Sequence, residues 1–106
     1  MPTVDLDRVP ERELVPGYRV RFVHTDHLTL AYWSVQAGAT LPAHDHPHEQ
    51  VAHVLEGRFE LVVDGVPRVL RPGLVEVIPP HTSHSGRALT DCRLLDVFWP
   101  VREDYT

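Results

Sequence analysis

Apolar and polar residues alternate along this chain in short runs, each closed after a few positions by Pro, Gly or Asp, and the 3.6-residue spacing of an amphipathic helix is almost absent. Residues 18–22 and 28–35 are rich in β-branched and aromatic side chains and read as strands, with Thr25 and Asp26 turning the chain between them. Runs 51–55 and 58–63 flank Gly57, and Asp64-Gly65 predicts a tight hairpin into 66–70. Arg71-Pro72-Gly73 turns into 74–78, Pro79-Pro80 opens a loop, and 93–99 forms a last apolar strand. The pattern predicts about eight strands in an all-β meander without internal repeat or linker. Residues 1–16 read as an irregular arm or an edge strand, open to exchange with a partner, followed by a barrel over 17–100 and a tail over 101–106. Tyr32 and Trp33 are expected to face outward on an apolar surface that favours a homodimer.

A chain of 106 residues fits one domain and leaves no room for a separate cofactor domain. No stretch approaches the roughly 18 apolar residues of a membrane-spanning helix, so no membrane partner is expected. Met1-Pro-Thr-Val-Asp lacks the basic start and apolar segment of a secretory signal, and a cytoplasmic location is the expectation. A net charge of −5 without a basic patch argues against nucleic acid. The single Cys92 excludes an internal disulfide and any Cys-rich zinc motif, and at the start of an apolar run it reads as a packed small residue rather than a nucleophile. All 10 basic side chains are Arg. An inward Arg binds a carboxylate bidentately, which favours a small carboxylate-bearing substrate, although a compositional preference for Arg gives the same count.

The candidate chemistry is concentrated in Gly38-Ala-Thr-Leu-Pro-Ala-His44-Asp-His46-Pro-His48-Glu49-Gln50 and in Pro79-Pro80-His81-Thr82-Ser83-His84. In an extended strand His44 and His46 leave the same face, and Gln50 returns to it if the chain stays extended. Neutral imidazole is the commonest side-chain metal ligand, so His44, His46, Gln50 and His84 form a candidate ligand set. A one-residue slip would replace Gln50 by Glu49, and His48 shares the parity of His46 beyond Pro47. The set accepts one divalent transition ion, Ni, Zn, Fe, Mn or Cu. His24, His27 and His53 have no motif around them and are expected to be exposed or at an interface.

These segments resemble both sequence motifs of the cupin family. Gly38, His44, His46 and Gly57 keep the spacing of Gly-x5-His-x-His-x3,4-Glu-x6-Gly, with Gln50 in place of Glu. Gly73, Pro79 and His84 keep that of Gly-x5-Pro-x-Gly-x2-His-x3-Asn, with His81 for the middle Gly and Ala88 for Asn. The resemblance spans roughly residues 35 to 100 and implies a small antiparallel double-stranded β-helix, a jelly-roll barrel with the metal in its mouth. With Gln for Glu all four ligands are neutral, so a divalent ion keeps its full charge and is a stronger Lewis acid, which favours a non-redox role. Three imidazoles also suit iron, and a cupin dioxygenase, a polyketide-type cyclase and a non-catalytic ligand-binding or sensing cupin remain alternatives.

His-x-His-Pro-His-Glu-Gln and the segment from Leu95 to Tyr105 are similar to the KdgF-type pectin-degradation cupins, which help convert unsaturated uronates to linear keto forms. Asp96, Phe98 and Arg102 fit the Asp-x-Phe-x3-Arg pattern of those relatives, while Trp99 stands where a small residue is usual. The resemblance implies that Arg102 clamps the uronate carboxylate, Asp96 moves a proton and Phe98 forms an apolar wall, and His81, three residues from a ligand in the same loop, is a candidate substrate-binding residue and second proton carrier. The plainer reading pairs Asp96 with Arg87 or Arg93 in the barrel and leaves Arg102 as a surface cation and His81 as an exposed turn residue.

Overall fold

The computed structural model describes residues 1–106 as ten strands and two short 3-10 turns. One antiparallel sheet runs, edge to edge, through β1 (Arg12–Val15), β2 (Tyr18–His24), β3 (Thr29–Val35), β10 (Cys92–Trp99), β5 (Glu49–Glu56) and β8 (Val75–Ile78). The other, also antiparallel, runs through β4 (Thr40–His44), β9 (His84–Ala88), β6 (Phe59–Val63) and β7 (Val66–Leu70). The core lies between them: Tyr18, Val35, Val54 and Leu94 from the larger sheet meet Phe59, Leu61, Leu70 and Ala88 from the smaller. Period-2 burial is clearest on β10, where Cys92, Leu94, Asp96 and Phe98 are buried and the residues between them are less so.

The ten strands exceed the eight or so predicted, the additions being β4 and β9, and the arm resolves to the edge-strand alternative. β1 makes the end of the arm an edge strand paired with β2 of the same chain. β4 and β9 come from polar, Pro- or Gly-containing segments; yet β9 is bonded on both sides, to β4 and to β6. Its Gly86 is required because a Cβ there would overlap the Phe59 ring, which fills that side of the strand. Gly57 sits at φ +88, where a side chain would also run into the Asp91 carbonyl, so the turn into β6 admits only glycine. The outward placement of Trp33 is corrected: neighbours on a strand point to opposite faces, and Trp33 lies inside, edge-on to Tyr18 and Phe22 at 6.0 and 6.2 Å.

The tail folds back as a 3-10 turn, Glu103–Tyr105, over the barrel mouth. Tyr105 stacks on Phe22 at 4.5 Å and its carbonyl accepts a hydrogen bond from Arg12 Nη2 at 2.9 Å, tying both chain ends to the same edge. No helix is long and apolar enough to cross a membrane.

Candidate metal centre

His44, His46 and His84 converge with ligand atoms within 4.8 Å of one another, but not by the strand geometry expected from their spacing. His44 closes β4, and a register shift between Leu41 and His44 sets it directly opposite His84, the first residue of β9. Their ring centroids are 4.3 Å apart. His46 lies beyond β4 in the link that crosses to the larger sheet, where the His81 N–H holds its carbonyl at 2.8 Å. Gln50 enters from β5 with its side chain inward, while Glu49 is exposed.

Each imidazole is oriented by a backbone carbonyl. Nδ1 of His44, His46 and His84 lies 2.9, 3.0 and 2.9 Å from the carbonyls of Pro42, His48 and Thr82. A carbonyl only accepts, so each Nδ1 carries the proton and each Nε2 offers a lone pair. His84 Nε2 is buried without any partner. His46 Nε2 faces Gln50 Oε1 at 3.1 Å, and the same side chain helps to stabilise the Asp96 carboxylate. Two lone pairs thus face each other at hydrogen-bond distance with no proton between them. Burial, joined by the Arg102 charge, pushes His46 down to about 4, and burial also lowers His84, so protonation does not relieve the contact at neutral pH. An orphaned buried nitrogen and a facing pair of acceptors are the donor set a divalent cation fits.

The remaining groups line a cavity of about 300 Å³ together with His44, Gln50 and His84. Asp96 lies on β10 between Ala31 of β3 and Ala52 of β5, whose small side chains leave its carboxyl room to face the cavity. Burial pushes it up to about 6, against the pull of the Gln50 and Trp33 side chains and the Arg102 charge. It has no ion pair with Arg87 or Arg93, which reach Glu60 and Glu56 on the surface at 3.7 Å. Phe98, one step along β10, packs edge-on to His46 at 5.6 Å. Arg102 is buried, its guanidinium stacked over Phe98 and Tyr105 at 4.8 and 4.2 Å.

His81 stands apart. It is exposed, takes a left-handed φ of 60, and is absent from the cavity wall, so the contact it makes with the site is its backbone N–H on His46. His48 is buried beside His46 with Nδ1 unpartnered, outside the convergent set. His24 and His27 are exposed and His53 half-buried. Cys92 donates to the Arg58 carbonyl at 3.1 Å and burial raises its thiol, so it is packed rather than activated. Three groups at the cavity had no motif to announce them. The Trp33 indole lines the cavity and its side chain bears on Asp96, Tyr105 lines it too, and fully buried Thr29, just outside the lining, accepts a hydrogen bond from the Arg102 backbone at 2.9 Å.

Comparison with known proteins agrees with this architecture. The chain is 30% identical over 102 residues, 93% of each protein, to the pectin degradation protein KdgF of Dickeya dadantii (strain 3937). Among solved structures, KdgF from Halomonas sp. is 32% identical with a TM-score of 0.89 over 94% of both chains. An RmlC-like cupin from Shewanella frigidimarina NCIMB 400 has the same identity and TM-score over 94% of this chain and 91% of its own. A cupin domain model matches residues 31–98, a span that includes His44, His46, Gln50 and His84, and the chain belongs to the cupin family as an all-β jelly roll.

Proposed function

We propose that this protein is a metal-dependent, non-redox enzyme that opens the ring of a small unsaturated uronate and carries it to the linear keto form. The observation that carries the reading is the convergence of three imidazoles, two of which line the same cavity as a buried carboxyl, Asp96, that burial pushes up to about 6. The name of the Dickeya relative, a pectin degradation protein, supports the substrate class.

His44, His46, His84 and Gln50 would hold one divalent transition ion, whose chemistry when bound is Lewis-acid polarisation of substrate oxygens. Arg102 takes the substrate carboxylate, and the Phe98 ring supports the sugar face. Asp96 accepts the proton of the anomeric hydroxyl as the bond from that carbon to the ring oxygen breaks, and the electron pair passes to the ring oxygen. The resulting enolate becomes the ketone when Asp96 returns that proton to the adjacent carbon of the double bond, so the overall change is an isomerisation. A carboxyl near pH 6 can both accept and return that proton. His81 serves this site through its backbone rather than as a substrate contact.

We assign the outer face of the larger sheet to a second copy of the chain. Cross-strand rows Leu30–Val97–Val51–Val77 and Tyr32–Leu95–His53–Val75 run over four strands, and Val75, Val77 and Trp99 are 50%, 58% and 58% exposed. An apolar patch of this kind is self-complementary under two-fold symmetry.

Elemental analysis of wild type and His46→Ala, with turnover of a 4,5-unsaturated uronate followed by loss of its ultraviolet absorbance, tests the activity. Metal and turnover that both vanish in the variant are the expected result; a metal-bearing wild type without turnover would overturn it. Light scattering of Val77→Glu tests the dimer, which should become monomeric.

A further inference from the structure

Arg102 is not a free cation waiting for an anion. Its Nε and Nη2 already form a bidentate pair with Asp104 Oδ1 and Oδ2 at 3.0 and 2.7 Å. The Arg102 side chain is 7% exposed and lines the cavity, whereas that of Asp104 is 56% exposed and lies outside the lining. Asp104 therefore grips the guanidinium from the solvent side. A guanidinium has two edges able to chelate a carboxylate, Nε with Nη2 and Nη1 with Nη2. With the first edge taken by Asp104, the Nη1/Nη2 edge is the one left for the cavity that Arg102 lines. The rings of Phe98 and Tyr105 set the plane of the group, and the Arg102 backbone N–H is pinned to Thr29 Oγ1.

We propose that Asp104 is a positioning residue for substrate binding: by holding the Nε/Nη2 edge of Arg102 it presents the Nη1/Nη2 edge to a substrate carboxylate in the cavity. The inference rests on the reading above that Arg102 receives that carboxylate. Asp104 touches neither substrate nor metal, and its effect is on where the guanidinium stands. The 3-10 turn that carries it is short and tied to β1 and β2 through Tyr105, so the grip is built into the fold rather than left to a free tail. The arrangement also sets specificity, because a planar group that can meet both Nη1–H and Nη2–H is favoured over a hydroxyl or a neutral amide. The pair is near neutral overall, so recognition relies on geometry more than on net charge.

The test compares wild type, Asp104→Ala and Asp104→Asn, each metal-loaded, by steady-state kinetics on the unsaturated uronate and by calorimetric binding of galacturonate, a carboxylate probe that is not turned over. Loss of the grip in Asp104→Ala should raise KM and weaken galacturonate binding roughly tenfold, with kcat within about twofold, and Asp104→Asn, which keeps one acceptor oxygen, should fall between. Metal content and Tm should match wild type. An unchanged KM would overturn the proposal, and so would a lowered one, since Asp104 would then be competing with substrate for Arg102. A fall in kcat that accompanies loss of metal or of Tm would reduce Asp104 to a structural role and overturn it as well. Galacturonate binding that depends on Asp104 in a protein inert toward the unsaturated uronate would leave this inference standing and remove the proposed reaction. Normal turnover with a silent Asp104 would do the reverse, and a wild type that binds neither sugar acid would overturn the inference.

Discussion

The two sheets bring different things to the cavity. The four-stranded sheet supplies His44 and His84, opposite each other on β4 and β9, and hands the chain across through His46. The six-stranded sheet supplies Gln50, Asp96, Phe98 and the indole of Trp33, on three strands adjacent in the sheet. The first group is polar side chains anchored by nearby backbone carbonyls. The second is buried among apolar neighbours, and that is what shifts Asp96. One sheet thus carries two of the three convergent imidazoles and the other the buried carboxyl. Gln50 is the joint, its oxygen toward His46 and its side chain helping to stabilise the Asp96 carboxylate.

The sharpest way to break that division is to remove a ligand from the smaller sheet. His84→Ala should abolish metal binding, measured by elemental analysis, and with it turnover by about 10³-fold or more, while Asp96 keeps its burial. Asp96→Asn should do the opposite, leaving metal content intact and lowering kcat by about 10²- to 10³-fold. In wild type the rate should rise with pH as Asp96 loses its proton and becomes the base, and the variant should lose that limb. The stability effect has the other sign. Folded Asp96 keeps its proton up to about pH 6 against an ordinary value of 3.8, so between those limits the folded state binds more protons and metal-free protein loses stability as pH rises. Asp96→Asn should therefore gain stability over wild type at pH 7 and little at pH 3, read by denaturant unfolding at both. Gly86→Ala, which forces a methyl against the Phe59 ring at the centre of the smaller sheet, should cost about 1–3 kcal/mol and loosen the metal without altering the Asp96 pH limb. His81→Ala is the smallest change, within about twofold in rate, because the backbone N–H that serves His46 survives it.

Much of the larger sheet was legible in the sequence because β2, β3, β5 and β10 each bury one face and alternate accordingly. β9 was not, since His-Ser-Gly-Arg-Ala has neither alternation nor β-branched residues, and only the Phe59 ring across the barrel explains why a glycine strand is stable there. The ligand residues were nameable from their spacing, but their geometry was not. It depends on a register shift in β4 and on a crossing between sheets, both non-local. Asp96 was identifiable as a candidate, whereas its shift needs Ala31 and Ala52 on the flanking strands. Asp104 carried no signal at all. Two positions from Arg102, it looks like any acidic tail residue until the turn closes the pair.

The carbonyl behind each imidazole has a consequence for how an ion would arrive. With Nδ1 protonated and His46 and His84 held below their ordinary range, those rings stand neutral at pH 7 with their lone pairs already turned inward. Such a site has almost no protons to give up and little torsional freedom to surrender, so loading is a dehydration of the ion more than a rearrangement of the protein. The heat of uptake measured near neutral pH should then be the same in PIPES as in MOPS, two weakly coordinating buffers whose ionisation enthalpies differ.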